Sequence, residues 1–303
     1  MSRRVGIRIR IGTRGSQLAL WQANHVAQKL AAAGCESEIV PIKTTGDARP
    51  DAALSTIGGK GVFIKELEEA LLRRDVDLAV HSLKDVPSIV PPQFALAAFL
   101  QRADARDAWV HPSGESIDDL AEGAVVGTSA PRRRAQLLSK WPHLRIEPIR
   151  GNVDSRLRKV REGKYAAAVL AAAGLTRLGR ASEITSFFDV DVMTPAAGQG
   201  IITIETLHDD DYAREIAARI GDNAADVEAR CERGVLARFG TILDCNSAIA
   251  VHATFGRETT IRAFAGDDEH SIRVTKRAHD PNEAVDAVFE ELVKHGAMQV
   301  LTQ

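Results

Sequence analysis

The chain has 303 residues, room for about two domains at roughly 150 residues each. Thirty-nine Lys and Arg against 41 Asp and Glu give a formal charge of −2, with 45% hydrophobic and 26% charged residues. This composition excludes a disordered tail, a collagen-like chain and a generally basic nucleic-acid binder.

Ile7, Ile9 and Ile11 alternate with Arg8 and Arg10, the period of two that marks a strand. Ser16 then caps a helix running to about residue 33, before Gly34. The unit repeats with a strand over 38–43, a glycine-rich loop at Gly58, Gly59, Lys60 and Gly61, a helix over 62–73 and a strand over 77–81. Alternation of this kind predicts a largely parallel sheet.

A Pro-rich stretch over 87–92 and a strand near 94–100 close this series. A second begins at Val125-Val126, which leads into Gly127-Thr128-Ser129, and continues with a helix over 132–140 and a strand over 145–149 that ends in Arg150-Gly151-Asn152. A helix over 153–161 and a buried strand over 166–170 complete it. The strand over 201–205 follows Pro195 to Gly200 and is expected to return to the first sheet.

From about Gly221 come a long helix, strands around 248–255, 261–265 and 271–278, and a helix over 281–295. The expected fold class is α/β, two lobes around a cleft with mixed, mainly parallel sheets, plus a small α+β C-terminal domain. The boundaries are 1–100 with about 199–219 for the first domain, 101–198 for the second and 220–303 for the third.

The apolar run at 166–173 is far short of the roughly 18 residues that span a bilayer, so no membrane segment is expected. The first residues lack the apolar core of a secretory signal, and the expected location is the cytoplasm. Cys35, Cys231 and Cys245 form no CxxC pair, and the nine His form no HExxH, so neither a disulfide framework nor a metal site is expected.

Charge is distributed unevenly. Between Gly127 and Arg161 there are eight Arg and two Lys against Glu147 and Asp154. Arg158, Lys159 and Arg161 read as a solvated helix face. Arg132, Arg133 and Arg150 sit just after strands, where open α/β sheets place their ligand crevice, and Gly127-Thr128-Ser129 offers backbone N–H groups to an oxyanion. Arg14 follows the first strand in the same way and can grip a carboxylate with a two-pronged guanidinium. With 5% aromatic residues and none interleaved with the arginines, small carboxylate or phosphate ligands fit better than nucleic acid. Gly58 to Gly61 lacks P-loop spacing and reads as a lid carrying one cation.

His81-Ser82-Leu83-Lys84-Asp85-Val86-Pro87 puts Lys84 and Asp85 at the crevice edge, where an ionised carboxylate can stabilise a cation forming in a substrate. Asp85 taken singly also reads as a turn residue, and His81 as a buried strand histidine. Cys35 and Cys231 read as structural, while Cys245 lies in a loop.

Thr13-Arg14-Gly15-Ser16, Lys43-Thr44-Thr45-Gly46-Asp47, Gly58-Gly59-Lys60-Gly61, the His81 to Pro87 run, Gly127-Thr128-Ser129, Arg150-Gly151-Asn152 and Pro195 to Gly200 occur in that order. Together they closely resemble the porphobilinogen deaminase (hydroxymethylbilane synthase) family, from about Ile9 to the C-terminal helix.

The resemblance implies two lobes like periplasmic binding proteins, a third domain carrying a cofactor cysteine, and transferase chemistry in heme biosynthesis. In the chemistry it implies, four porphobilinogen molecules condense head to tail with loss of ammonia, and water releases linear hydroxymethylbilane. It implies a dipyrromethane cofactor joined by a thioether to Cys245, and Asp85 as catalytic carboxylate. Arg14, Ser16, Lys84, Ser129, Arg132, Arg133, Arg150, Arg156, Arg177 and Gln199 match positions that bind cofactor and substrate. A monomer acting on porphobilinogen, without nucleic acid or membrane, is the family expectation.

One segment departs from the family pattern. Leu243-Asp244 precede Cys245 where Gly-Gly or Gly-Ser is usual, and Ala248 stands in place of a proline, which changes the backbone conformations open to the loop. Two rival readings are a family member that loads cofactor poorly and a non-enzymatic carboxylate-binding protein.

Overall fold

The computed structural model describes residues 8–44, 64–244 and 246–302. The expected lid at Gly58, Gly59, Lys60 and Gly61, and Cys245 itself, lie outside the described residues. The chain forms two compact units, one of Met1–Arg102 with Ile201–Asp226 and one of Ala103–Gly200 with Val227–Gln303.

In the first unit, β1 (Ile9–Arg14), β2 (Ser37–Ile42), β3 (Leu78–Ser82), β4 (Phe94–Phe99) and β10 (Ile202–Leu207) form a sheet in the order β2-β1-β3-β10-β4. β1 runs parallel to β2 and β3, and β10 runs antiparallel to both β3 and β4. Four strands therefore share one direction and the returning β10 opposes them, which is the mixed, mainly parallel sheet expected.

Period-two alternation builds the layers of this unit. Ile9, Ile11, Leu78 and Val80 pack with Val26 and Leu30 of α1 (Gln17–Ala32) and Ile216 of α6 (Asp211–Ala218). Ala79 and Leu207 on the opposite face pack with Leu67 and Leu71 of α2 (Lys65–Leu72). Ser16 caps α1 by accepting the Ala19 amide at 3.3 Å.

The second unit repeats the plan. β5 (Asp107–Val110), β6 (Val125–Gly127), β7 (Arg145–Glu147), β8 (Ala167–Ala171) and β9 (Ser186–Phe187) run in the order β7-β6-β8-β5-β9, with β5 as the opposing strand. Sequence pattern missed β5 and β9, because β5 opens on a charged residue and β9 is only two residues long. Between strands lie α3 (Pro131–Lys140), α4 (Val153–Arg161) and α5 (Ala172–Arg177). Asn152 caps α4 by accepting the Ser155 amide.

A three-stranded antiparallel sheet of β11 (Ala248–Thr254), β12 (Thr259–Gly266) and β13 (Ser271–Ala278) belongs to the same unit. Its core is closed by α7 (Asn223–Phe239), α8 (Pro281–Lys294) and the short α9 (Ala297–Val300). Ala135 of α3 packs on Ala248, Ala250 and Phe264, so one face of α3 serves this sheet.

Candidate functional site

In the first unit, a cavity of about 410 Å³ including its open mouth lies at the carboxyl ends of β1 and β3. Arg14, Ser16, Leu18, Ala19, Gln22, Ile64, Val80, His81, Ser82 and Asp85 line it. This is where parallel strands place ligands, because the loops leaving them diverge there.

Asp85 ends a single 3-10 turn, Leu83–Asp85, that follows β3 directly. Leu83 is buried and donates its amide to Ile201 O at 3.0 Å, while Lys84 and Asp85 are exposed. The turn is thus pinned at its apolar residue and offers its two charged ones. Gln22 Nε2 donates to Ser82 Oγ at 2.7 Å, and His81 Nε2 lies 3.0 Å from Glu205 Oε2. Of the residues the sequence singled out, the structure gathers Arg14, Ser16 and Asp85 at this cavity.

The cationic residues of the second unit fall into two groups. Arg132 and Arg133 are buried at 6% and 5% exposure, and both bind Asp107, which has none. Arg132 Nη1 donates to Asp107 Oδ2 at 2.6 Å and to Thr194 O, and its Nη2 donates to Gln199 Oε1 at 3.0 Å. Arg133 Nη2 donates to Asp107 Oδ1 at 2.7 Å, and its Nη1 to Val169 O. Gln199 Nε2 completes the knot through Ala105 O and Asp107 Oδ1.

Burial favours the neutral form of Asp107, but the charges and hydrogen bonds of the two arginines outweigh it and hold the carboxyl well below the usual range. Sequence position placed Arg132 and Arg133 at a ligand crevice, and the resemblance added Gln199; in the structure all three are buried around a carboxylate, Asp107, that sequence reading missed. The available signal was an acidic residue opening a short apolar stretch ahead of an arginine surplus.

The other group is less enclosed. Arg150 precedes the capped start of α4, and its carbonyl accepts from Lys159 Nζ at 3.0 Å. Arg156 Nε donates to Gly151 O at 2.8 Å, and Arg177 Nη2 to Gly200 O at 2.7 Å. Burial pushes the Arg177 guanidinium down to about 10, still charged near neutrality. Ser129 Oγ donates to Ile149 O at 2.7 Å, tying together the ends of two neighbouring strands.

Around Cys245 the neighbours are ordered by a local side-chain turn. Asp244 Oδ1 accepts from Asn246 N at 2.8 Å and from Ser247 Oγ at 3.0 Å, while Asp244 N donates to the same hydroxyl. These bonds tie Asp244 to Asn246 and Ser247. Cys231 is different: burial, then the negative charge of Glu232, pushes its thiol up to about 11. Among the described residues, no group of three His, Cys, Asp or Glu is placed to hold a metal ion, and no helix is long and apolar enough to cross a membrane.

The family model described as porphobilinogen deaminase, dipyrromethane cofactor binding domain, matches residues 9–215. A porphobilinogen deaminase of Acidithiobacillus ferrooxidans is 43% identical over 298 residues, covering 97% of each chain. One of Halalkalibacterium halodurans is 42% identical over 303 residues, covering 98% of this chain and 97% of that one. Among solved structures, the methionine binding protein MetQ aligns with a TM-score of 0.46 at 14% identity, over 71% of this chain and 91% of that chain.

Proposed function

The chain belongs to the porphobilinogen deaminase family, and from that premise we propose that it joins four porphobilinogen molecules head to tail with loss of ammonia. Water then releases linear hydroxymethylbilane. The protein is an enzyme of tetrapyrrole biosynthesis, and its reaction class is that of a transferase. The observation that carries this reading is the cavity of the first unit, where a carboxylate, a guanidinium and a hydroxyl line one space.

Those groups suit a pyrrole that bears carboxylates. Arg14 and Ser16 are assigned to the substrate's acidic side chains, since a guanidinium and a hydroxyl both donate to carboxylate oxygens. Asp85 is assigned to the pyrrole nitrogen, where positive charge grows as ammonia departs; a fixed anion there lowers the barrier because it needs no reorientation when the charge appears. Lys84, Ser129, Arg150, Arg156 and Arg177 are assigned to the carboxylates of the lengthening chain. For Arg132, Arg133 and Gln199 we propose a supporting part, in which two guanidiniums held by one buried carboxylate leave a net positive charge.

The dipyrromethane cofactor fits this donor set, which combines anion-binding cations with one carboxylate for pyrrole N–H groups. When bound, it supplies the free ring position to which the first substrate is joined. Cys245 is the proposed anchor, and the Asp244 turn supports it by shaping the segment on both sides. Covalent anchoring makes each addition effectively unimolecular.

The segment over 220–303, with its own antiparallel sheet and core, is the proposed third domain beside lobes at 1–100 with 199–219 and at 101–198. Residues Gly58 to Gly61 are the proposed lid, and a monomer in the cytoplasm is the proposed working form.

Purified protein incubated with porphobilinogen tests the function. The expected result is one ammonia per porphobilinogen consumed and one linear tetrapyrrole per four. Binding of porphobilinogen with no ammonia released overturns the reading in favour of a carboxylate-binding protein.

A further inference from the structure

We propose that His81, oriented by Glu205, is the base that takes up the ring proton shed when two pyrroles are joined; this rests on the function proposed above.

His81 and Glu205 are buried at 6% and 0% exposure on adjacent antiparallel strands. Thr203 stands opposite His81 and Glu205 opposite Ala79, so the two side chains share one face of the sheet. Nε2 and Oε2 are 3.0 Å apart. The second oxygen of Glu205 is buried and has no hydrogen-bond partner among the described residues. Leaving a buried carboxylate oxygen unsatisfied is costly, and a hydrophobic pair would pack there without that cost.

The surroundings define a proton site. Glu68 of α2 feels the same pair: burial raises its proton affinity, the charge of Glu205 raises it further, and His81 lowers it. His81 also lines the cavity with Arg14 and Asp85, and Ser82 beside it is taken by Gln22. A carboxylate on Nε2 fixes the tautomer with the proton on that nitrogen and leaves the lone pair on Nδ1, which makes no hydrogen bond among the described residues. Once Nδ1 is protonated, Glu205 and Glu68 stabilise the imidazolium. Asp85 cannot serve both needs, because taking the proton would remove the negative charge that steadies the pyrrole nitrogen.

The step balances as follows. The C–N bond of the protonated aminomethyl group breaks, and its electron pair leaves with nitrogen as ammonia. The free α-carbon of the accepting ring supplies the pair for the new C–C bond. Its C–H bond then breaks, that pair restores the aromatic ring, and the proton goes to Nδ1 of His81. Transfer of this proton to ammonia gives ammonium and returns His81 to its starting state.

The test combines His81→Asn, Glu205→Gln, porphobilinogen deuterated at the free α-position, and ¹⁵N NMR of the His81 ring in the purified enzyme without substrate. In His81→Asn, kcat is expected to fall about 10²-fold or more with KM little changed. The kinetic isotope effect on kcat is expected to rise above that of the wild type, which a purely structural role would not produce. In Glu205→Gln kcat is expected to fall with the isotope effect rising as in His81→Asn, because the imidazolium formed during proton transfer loses its anion.

In the wild type, the neutral ring of His81 is expected to carry its proton on Nε2. Wild-type kcat in His81→Asn, an unchanged isotope effect, or a neutral ring protonated on Nδ1 overturns the proposal, and the NMR result stands even if a variant fails to fold. Wild-type protein that releases no ammonia overturns the functional reading instead.

Discussion

Arg132 Nη1 lies 2.6 Å from Asp107 Oδ2, and Arg133 Nη2 lies 2.7 Å from the other oxygen of the same fully buried carboxylate. Charges removed from water are tolerated only when paired, so the strand that begins at Asp107 and the helix that carries both arginines depend on one another. The first turn of α3 is locked by this knot, while Ala135 on the same helix packs on the small antiparallel sheet.

Replacing Asp107 by Asn leaves two buried guanidiniums without their anion. The expected loss is about 3–5 kcal/mol of stability at pH 7, measured by urea unfolding. A loss below about 1 kcal/mol would show that the network is dispensable.

Acid should reveal the same pair. The carboxyl of Asp107 binds its proton more weakly folded than unfolded, so its contribution is complete above the unfolded value of about 3.9 and fades as pH falls below it. Unfolding midpoints measured between pH 7 and pH 2 should drop more steeply below about pH 4 in the wild type than in Asp107→Asn. Parallel curves would contradict this assignment.

Asp85 is exposed and ends a turn held by Leu83, so Asp85→Ala should change stability by no more than about 0.5 kcal/mol. Turnover of porphobilinogen is expected to fall by on the order of 10²–10³, followed by ammonia release. Wild-type turnover in that variant removes Asp85 from the chemistry.

Gly151 has φ +102°, and a Cβ there would lie 2.8 Å from Ser155 Cβ in the first turn of α4. Gly151→Ala should therefore cost about 1–3 kcal/mol and disturb the neighbouring Arg150. Arg150→Leu, by contrast, should fold normally but stall elongation, with enzyme-bound partial chains visible by intact mass. Normal product formation in Arg150→Leu rules out its role as a carboxylate clamp.

Intact mass and peptide mapping should locate an adduct of two pyrrole units on Cys245 after incubation with porphobilinogen. Cys231, whose thiol is pushed up to about 11 by burial, stays protonated at neutral pH and should remain unmodified, as should buried Cys35. An unmodified Cys245 would place the effect in the Asp244 to Ala248 departure, and favour the poorly loading reading.

Much of the fold was legible because local rules act over a few residues. Alternating isoleucines specify β1, and the Ser16 and Asn152 caps mark where α1 and α4 begin. The return of residues 201–205 to the first sheet was also anticipated, and β10 pairs with β3 and β4 there. The meeting of Arg14, Ser16 and Asp85 followed from strand-end position, since side chains leaving the same edge of a parallel sheet are neighbours wherever the loops run.

What sequence determined, then, was the order of elements, the family, and which residues stand at strand ends, because each depends on local periodicity, capping and motif. Tertiary structure decided which charges are spent internally. Asp107 at the start of β5 meets Arg132 on α3 across 25 residues, and His81 meets Glu205 across 124 through the pairing of β3 with β10. Whether a guanidinium is an open clamp or a buried brace depends on the carboxylate that burial brings to it, and only the folded sheet supplies that neighbour.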